Sequence, residues 1–250
     1  MFEELVDIMV NCRRCAVLTG AGISAESGVP TFRGKEGLWG KFRPEELATM
    51  SAFMSNPKIV WEWYNWRRDL MAKVQPNPGH FALGEMEKAF EQFTLITQNV
   101  DGLHRQAGSE NMLELHGNIH RNKCAECNAA VDGQIEIDPD DIPSCAQCGG
   151  SIRPDVVWFG EMLDADIIDA AFDAAQQAEL FFSVGTSALV QPAASLPVVA
   201  KRAGSTLVEV NMERTPLSDL ADFHFCGPSG ELLPRLMELF RRRKDGGDGG

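Results

Sequence analysis

The chain has 250 residues, 44% of them apolar, enough for one large domain or a large and a small one around a real core. Its formal net charge of −13 argues against a phosphate-backbone binder, which needs a positive field, and favours a cationic partner such as a lysine-rich peptide. The acidic N-terminus, MFEELVDIMVNCRRC, has no apolar run long enough for a leader peptide or a membrane span, so a cytoplasmic protein is expected.

That first segment reads as an amphipathic helix carrying Glu3, Glu4 and Asp7. Cys12-Arg-Arg-Cys15 follows where the helix gives way to a strand, and its two thiols are expected to face the core. The strand Ala16–Thr19 runs into Gly20-Ala21-Gly22. Gly20-x-Gly22-x-x-Ala25 satisfies the G-x-G-x-x-G/A fingerprint, whose glycines let backbone N–H groups approach a pyrophosphate. No helix, second strand and ribose-binding acid follow, so dinucleotide binding stands and hydride transfer loses ground. A glycine-rich loop, Ser27 to Trp39, comes instead, of the length and composition of mobile functional loops.

The next segment, WEWYNWRRDL (Trp61 to Leu70), is helical by pattern. At about 100° per residue Val60, Trp63, Tyr64, Leu70, Met71 and Val74 share a stripe, with Arg67 in its middle and Arg68 pointing elsewhere. A guanidinium in an apolar stripe costs several kcal/mol, roughly what a buried ion costs, unless an anion meets it. The anion is either internal, such as Asp69, Glu62 or an acid of the cysteine module, or it belongs to a ligand.

Four further strands end in small or polar residues. Phe93–Thr97 ends in Gln98-Asn99-Val100-Asp101, and Met112–Leu115 in His116-Gly117. Leu180–Val184 ends in Gly185-Thr186-Ser187, and Thr206–Val210 in Asn211-Met212-Glu213. Helical stretches between them give the pattern of a parallel α/β sheet, in which ligands bind outside the carboxyl ends of the strands. His116, at such an end beside Gly117, has the chemistry of a general base, since imidazole titrates near ~6.5. His80 is expected to cap a helix and His224 to pack, while His120 is a supporting or surface residue. His104 is open.

Cys124-Ala-Glu-Cys127 and Cys145-Ala-Gln-Cys148, seventeen residues apart, have the C-x2-C, C-x2-C spacing of a closed tetrahedral zinc site. Four sulfurs leave no open position, so the zinc is structural. Cys226 is expected in the core, and the tail over 241–250 is expected to be flexible.

Together, Gly20 to Gly34, Thr97 to His104, Leu115-His-Gly117, the cysteine pairs, Phe159-Gly-Glu161, Gly185-Thr-Ser187 and Asn211-Met-Glu213 resemble the sirtuins, NAD-dependent protein lysine deacylases, of prokaryotic type. The resemblance spans residues 16 to 235. It implies an α/β fold: a Rossmann-like parallel-sheet domain (1–31, 79–117 and 156–240) with a smaller domain formed by a helical insertion (32–78) and a zinc-binding insertion (118–155). It implies NAD as co-substrate, held by Gly20, Ala21, Gly22, Ser24 and Ala25, by Thr31, Phe32, Arg33 and Trp39, and by Gln98, Asn99 and Asp101. The adenosine end would meet Gly185, Thr186, Ser187, Asn211, Glu213 and Ser229. Catalysis would rest on His116 and Asn99. The acyl oxygen of the lysine amide would attack C1′ of the nicotinamide ribose. His116 would then act as base on the ribose hydroxyls, giving free lysine, nicotinamide and 2′-O-acyl-ADP-ribose.

The peptide would lie along Phe159-Gly160-Glu161 as an added strand. One subgroup of the family, acting on acidic acyl groups, carries a tyrosine and an arginine spaced as Tyr64 and Arg67 are, with a small residue, here Ala48, sixteen positions before the tyrosine. The resemblance therefore implies a preference for succinyl or malonyl lysine, with acetyl lysine also turned over. The expected partners are acyl-lysine proteins, not nucleic acid or membrane, and a monomer is expected. The rival readings are protein mono-ADP-ribosyl transfer and a non-enzymatic zinc-ribbon adaptor.

Overall fold

The structure is a computed structural model that describes residues 1–31, 43–131 and 138–247. Phe32, Arg33 and Trp39, expected to bind cofactor, lie outside the described residues. A six-stranded sheet has the order β3 (Met112–Glu114), β2 (Gln92–Thr97), β1 (Arg14–Thr19), β7 (Leu180–Val184), β8 (Thr206–Asn211), β9 (Phe223–Cys226). All its pairings are parallel. The β9 strand, FHFC, is too short to stand out by pattern and adds the far edge.

A central parallel strand is covered on both faces, which is why β1 reads as a continuous apolar run. Alternate side chains serve separate cores. Cys15 and Val17 pack with Leu95, Phe182 and Val208 under α1 (Phe2–Met9), α6 (Pro78–Ala89) and α10 (Ser229–Gly247). Ala16 and Leu18 pack with Ile96, Phe181 and Leu207 under α8 (Ala165–Gln177) and α9 (Leu196–Arg202). Cys15 is in the core as expected and Cys12 packs against its edge. Cys226 departs from expectation. It is exposed, because it closes β9 at the sheet margin, and its thiol meets the Met212 carbonyl at 3.2 Å.

α10 continues to Gly247, since Arg241 and Arg243 pair with Glu85 and Glu3 on α6 and α1, and Arg242 with Glu238 one turn back. Residues 248–250 lie outside the described residues.

The small domain is built from two separate stretches of chain. The first contributes α3 (Pro44–Leu47), α4 (Met50–Ser55) and α5 (Pro57–Met71), and the second the antiparallel strands β4 (Gly117–Cys124), β5 (Ala130–Val131) and β6 (Ile152–Val156). Asn56 caps α5 by accepting from the Ile59 N–H, with Pro57 preset for the first turn. Phe53, Trp61, Trp63 and Tyr64 from the helices share one core with Ile119, Ile152, Val156 and Trp158 from the strands and the loop beyond.

Arg68 is the polar clamp between the two stretches. Its Nε donates to the Ile119 carbonyl at 2.7 Å and its Nη2 to Asn122 Oδ1 at 2.7 Å, while the guanidinium lies 5.2 Å from the Trp61 ring. Arg68→Ala is expected to lower the unfolding free energy by roughly 2 kcal/mol, the scale of charge-assisted hydrogen bonds lost with an acceptor left behind. Urea unfolding reads this as a lower midpoint at unchanged slope.

Candidate active site

The turns that follow β1 and β7 meet backbone to backbone. The Gly20 N–H donates to the Val184 carbonyl at 3.0 Å, and the Gly22 N–H to the Gly185 carbonyl at 2.8 Å. A Cβ on Gly22 would sit 2.7 Å from Gly185 Cα. One on Gly185, whose φ is +61°, would sit 2.4 Å from the Ile23 nitrogen. Only glycine fits either position, so the fingerprint glycines first serve the contact between two strand ends.

Beneath this contact lies a buried polar network. α2 (Ala21–Ala25) places Ser24, whose hydroxyl donates to Asp101 Oδ2 at 2.8 Å and accepts from Asn99 Nδ2 at 3.2 Å. Asn99 also donates to the Gly20 carbonyl at 3.0 Å. Asp101 takes the Leu103 N–H on its other oxygen at 2.9 Å, at the start of α7 (Leu103–Gln106). Burial raises the Asp101 carboxyl above its ordinary value, against the opposing hydrogen bonds from Leu103 and Ser24. His80 caps α6 as expected: its Nδ1 accepts from the Asn77 N–H at 3.3 Å. That bond puts the proton on Nε2, which reaches Ser24 Oγ at 3.3 Å, so the cap residue also belongs to the network. His104, open from the sequence, is buried with its Nε2 2.9 Å from Thr19 Oγ1, which in turn donates to Thr97 Oγ1. The two imidazole rings lie 4.8 Å apart.

His116 sits at the mouth of the site. Its Nδ1 is 2.9 Å from the Gln98 carbonyl, an obligate acceptor, so Nδ1 carries the proton and Nε2 keeps a lone pair. Burial lowers its pKa below the ordinary value, opposed by the Gln98 carbonyl. Gln98 donates to Thr186 Oγ1 at 3.0 Å, and Asn211 to the Thr186 carbonyl at 2.8 Å, so these strand-end side chains form one rim. Ser187 and Thr31 are half-buried, while Ala25 and Glu213 are exposed. Ser229, at the start of α10, donates to Glu26 at 2.8 Å.

Arg67, on α5, is 6% exposed. Its guanidinium carbon lies 4.8 Å from the Trp63 ring centroid and 5.5 Å from that of Tyr64. Burial lowers its pKa, while Tyr64 and the Asp101 carboxylate favour its charge. Asp101 is thus one internal carboxylate that favours the Arg67 charge. Ala48 is buried and its carbonyl accepts the Phe159 N–H at 2.9 Å, bringing the small residue and the exposed Phe159-Gly160 turn alongside. The Glu161 carboxylate is turned inward onto Arg153 and the Trp158 N–H. Trp158 and Arg153, both 2% exposed, carried no sequence signal beyond a hydrophobic pattern and a lone charge.

The four expected cysteines converge, with all four sulfurs within 4.8 Å of one another. Cys124 and Cys148 sulfurs are 3.5 Å apart and Cys127 and Cys145 sulfurs 3.7 Å. A zinc tetrahedron with Zn–S of ~2.3 Å has edges of about 3.8 Å, so the cluster fits one structural zinc.

His80 carries a pH signature. Burial alone holds its folded-state pKa down at about 4, against 6.5 for an ordinary histidine. Between those values the unfolded chain takes up a proton that the folded chain refuses, so stability falls as pH falls. From pH 7 to 5 this group removes roughly 2 kcal/mol. Denaturant unfolding of the native chain and of His80→Gln at both pH values should show a drop smaller by about that amount in the variant.

A family model described as the Sir2 family matches residues 20–192. An NAD-dependent protein deacylase of Aquifex aeolicus (strain VF5) is 53% identical over 226 residues, covering 90% of this chain and 95% of the relative. A mutant Sir2 homologue solved with ADP ribose is 43% identical, superposes with a TM-score of 0.93 and covers 98% of both chains. A Sir2 homologue solved with NAD is 44% identical, with a TM-score of 0.90 over 96% of this chain and 94% of that one. A parallel sheet with polar strand ends, a two-part small domain and a four-cysteine cluster thus accompany close similarity over nearly the whole length, and the chain belongs to the Sir2 family.

Proposed function

We propose that this protein removes acyl groups from protein lysines at the expense of NAD, and that it favours acyl groups ending in a carboxylate, such as succinyl and malonyl. The deacylase reading is supported by the similarity to deacylases and to structures holding NAD and ADP ribose. In this reading residues 1–31, 79–117 and 156–240 form the NAD-binding domain, and 32–78 with 118–155 the small one. NAD supplies the electrophilic ribose carbon. Gly20, Ala21 and Gly22 take the backbone side of the cofactor, Asn99 and Asp101 its nicotinamide ribose, and Thr186, Asn211 and Ser229 its adenosine end. His116 Nε2 accepts the proton of a ribose hydroxyl, and Nδ1–H on the Gln98 carbonyl holds the ring in that tautomer and shares the charge.

The observation that carries the acyl preference is Arg67. It is buried against the rings of Trp63 and Tyr64, which share one core with the small Ala48. A planar guanidinium can grip a carboxylate with two parallel bonds.

For one peptide carrying either succinyl or acetyl lysine, kcat/KM should favour succinyl. Arg67→Met should reduce the succinyl value roughly 10- to 100-fold more than the acetyl value. A ratio unchanged by the substitution overturns the acyl preference.

His116 must be neutral to take a proton, and its pKa lies below the ordinary histidine value. The acid limb of kcat/KM should therefore fall below pH ~6.5, with activity lost as pH drops through that limb. His116→Ala should cost roughly 10²- to 10⁴-fold. Turnover that survives the substitution removes His116 from the chemistry.

A further inference from the structure

We propose that Trp158 is a specificity-positioning residue: its indole N–H holds the Tyr64 phenol so that the hydroxyl proton is left for the carboxylate of the acyl group, and the buried Arg153–Glu161 pair holds Trp158. The inference rests on the acidic-acyl reading above and adds the residues that make its pocket directional.

Trp158 is 2% exposed, and its Nε1 donates to the Tyr64 oxygen at 2.8 Å. An indole N–H only donates, and so does a guanidinium, whereas a phenol has one proton and two lone pairs. Arg67 follows Tyr64 one turn on along the same helix, its guanidinium carbon 5.5 Å from the Tyr64 ring centroid. Because the indole can only donate, the phenol proton cannot point at Trp158 and must seek its acceptor on another side. Burial raises the Tyr64 pKa, so the proton is present at neutral pH. A carboxylate entering between Tyr64 and Arg67 meets the O–H of one and the guanidinium of the other. A neutral acetyl methyl meets neither.

Trp158 can aim the phenol because it is itself fixed on several sides. The Arg153 guanidinium carbon stacks 3.3 Å from the Trp158 ring centroid, and the Phe53 ring lies 5.4 Å away. The Trp158 backbone N–H donates to Glu161 Oε2 at 2.8 Å. Glu161 takes both terminal nitrogens of Arg153, Nη2 at 3.0 Å, and Nη2 also reaches the Val156 carbonyl at 2.8 Å. Arg153 stands on β6, next to the strand that carries Cys124, so the frame of the pocket extends into the cysteine module. A buried ion pair is a weak source of net stability, and its service here is geometric. Phenylalanine in place of Trp158 would keep most of the stack and delete the N–H, leaving the phenol free to turn its proton inward.

The test is a double-mutant cycle on succinyl and acetyl versions of one peptide at saturating NAD, with the native chain, Trp158→Phe, Tyr64→Phe, the double variant, and Arg67→Met as reference. The expected result is a succinyl-to-acetyl ratio of kcat/KM that falls roughly 3- to 10-fold in Trp158→Phe, mainly through the succinyl KM. In the Tyr64→Phe background the same change should leave the ratio alone, because the group it acts through is gone. If the native chain and Arg67→Met behave as the acyl reading requires, yet Trp158→Phe leaves the ratio unchanged or lowers it equally in both backgrounds, the positioning role is overturned and the acyl reading stands. If the native chain shows no succinyl preference, both are overturned. Should Trp158→Phe not fold, a second measurement on the native chain decides. Tyr64 is the only tyrosine, so a 13Cζ label gives one resonance. It should move on adding the succinyl peptide and not the acetyl one, and an equal response to both overturns the proposal.

Discussion

The contact between Gly22 and Gly185 sets the distance between the ends of β1 and β7, and every other group of the site is placed relative to those ends. At this point the strand order runs outward in two directions, to β2 and β3 on one side and to β8 and β9 on the other. Chain leaving β1 and chain leaving β7 would diverge and open a crevice, the usual ligand site of such sheets. Here the crevice floor is closed by backbone alone, because any side chain at either glycine would collide with the opposite turn. The polar residues at the ends of β1, β2, β7 and β8 then have no freedom to spread, and their hydrogen bonds converge on Ser24, Asn99 and Thr186.

Three arginines of the small domain show how one side chain type serves separate ends. Arg68 is half-buried against carbonyl and amide oxygens and joins the two stretches of chain that make the domain. Arg153 gives both terminal nitrogens to a carboxylate and lies against an indole. Arg67 lies against aromatic rings, with the Asp101 carboxylate favouring its charge. Desolvation opposes the charge of both Arg67 and Arg68.

What the sequence made legible follows from the range of the interactions involved. The strand ends, the cysteine pairs and the apolar stripe around Arg67 are local patterns, and the structure has them where the spacing put them. The role of Arg68 was invisible, because its partners Ile119 and Asn122 lie more than fifty positions away. His80 was read as a cap, and it is one, but the link from its other nitrogen to Ser24 depends on packing α6 against α2. Cys226 was assigned to the core on residue type alone. An edge strand not foreseen from four residues leaves it in solvent instead. The partners of the tail arginines were out of reach for the same reason, since their carboxylates come from α1 and α6.

The position of β1 in the sheet has a consequence for how the chain reaches this state. β1 is the first strand in sequence and lies in the interior of the sheet. One edge pairs with residues near 92–97 and the other with residues near 180–184. Pairing Cys15 with Leu180 closes a loop longer than most whole domains. During synthesis the first strand therefore stays half-paired until more than two thirds of the chain has emerged, with an apolar edge exposed. High contact order of this kind slows folding and lengthens the time in which intermediates can associate, so the burden of this architecture falls on its birth more than on its finished stability.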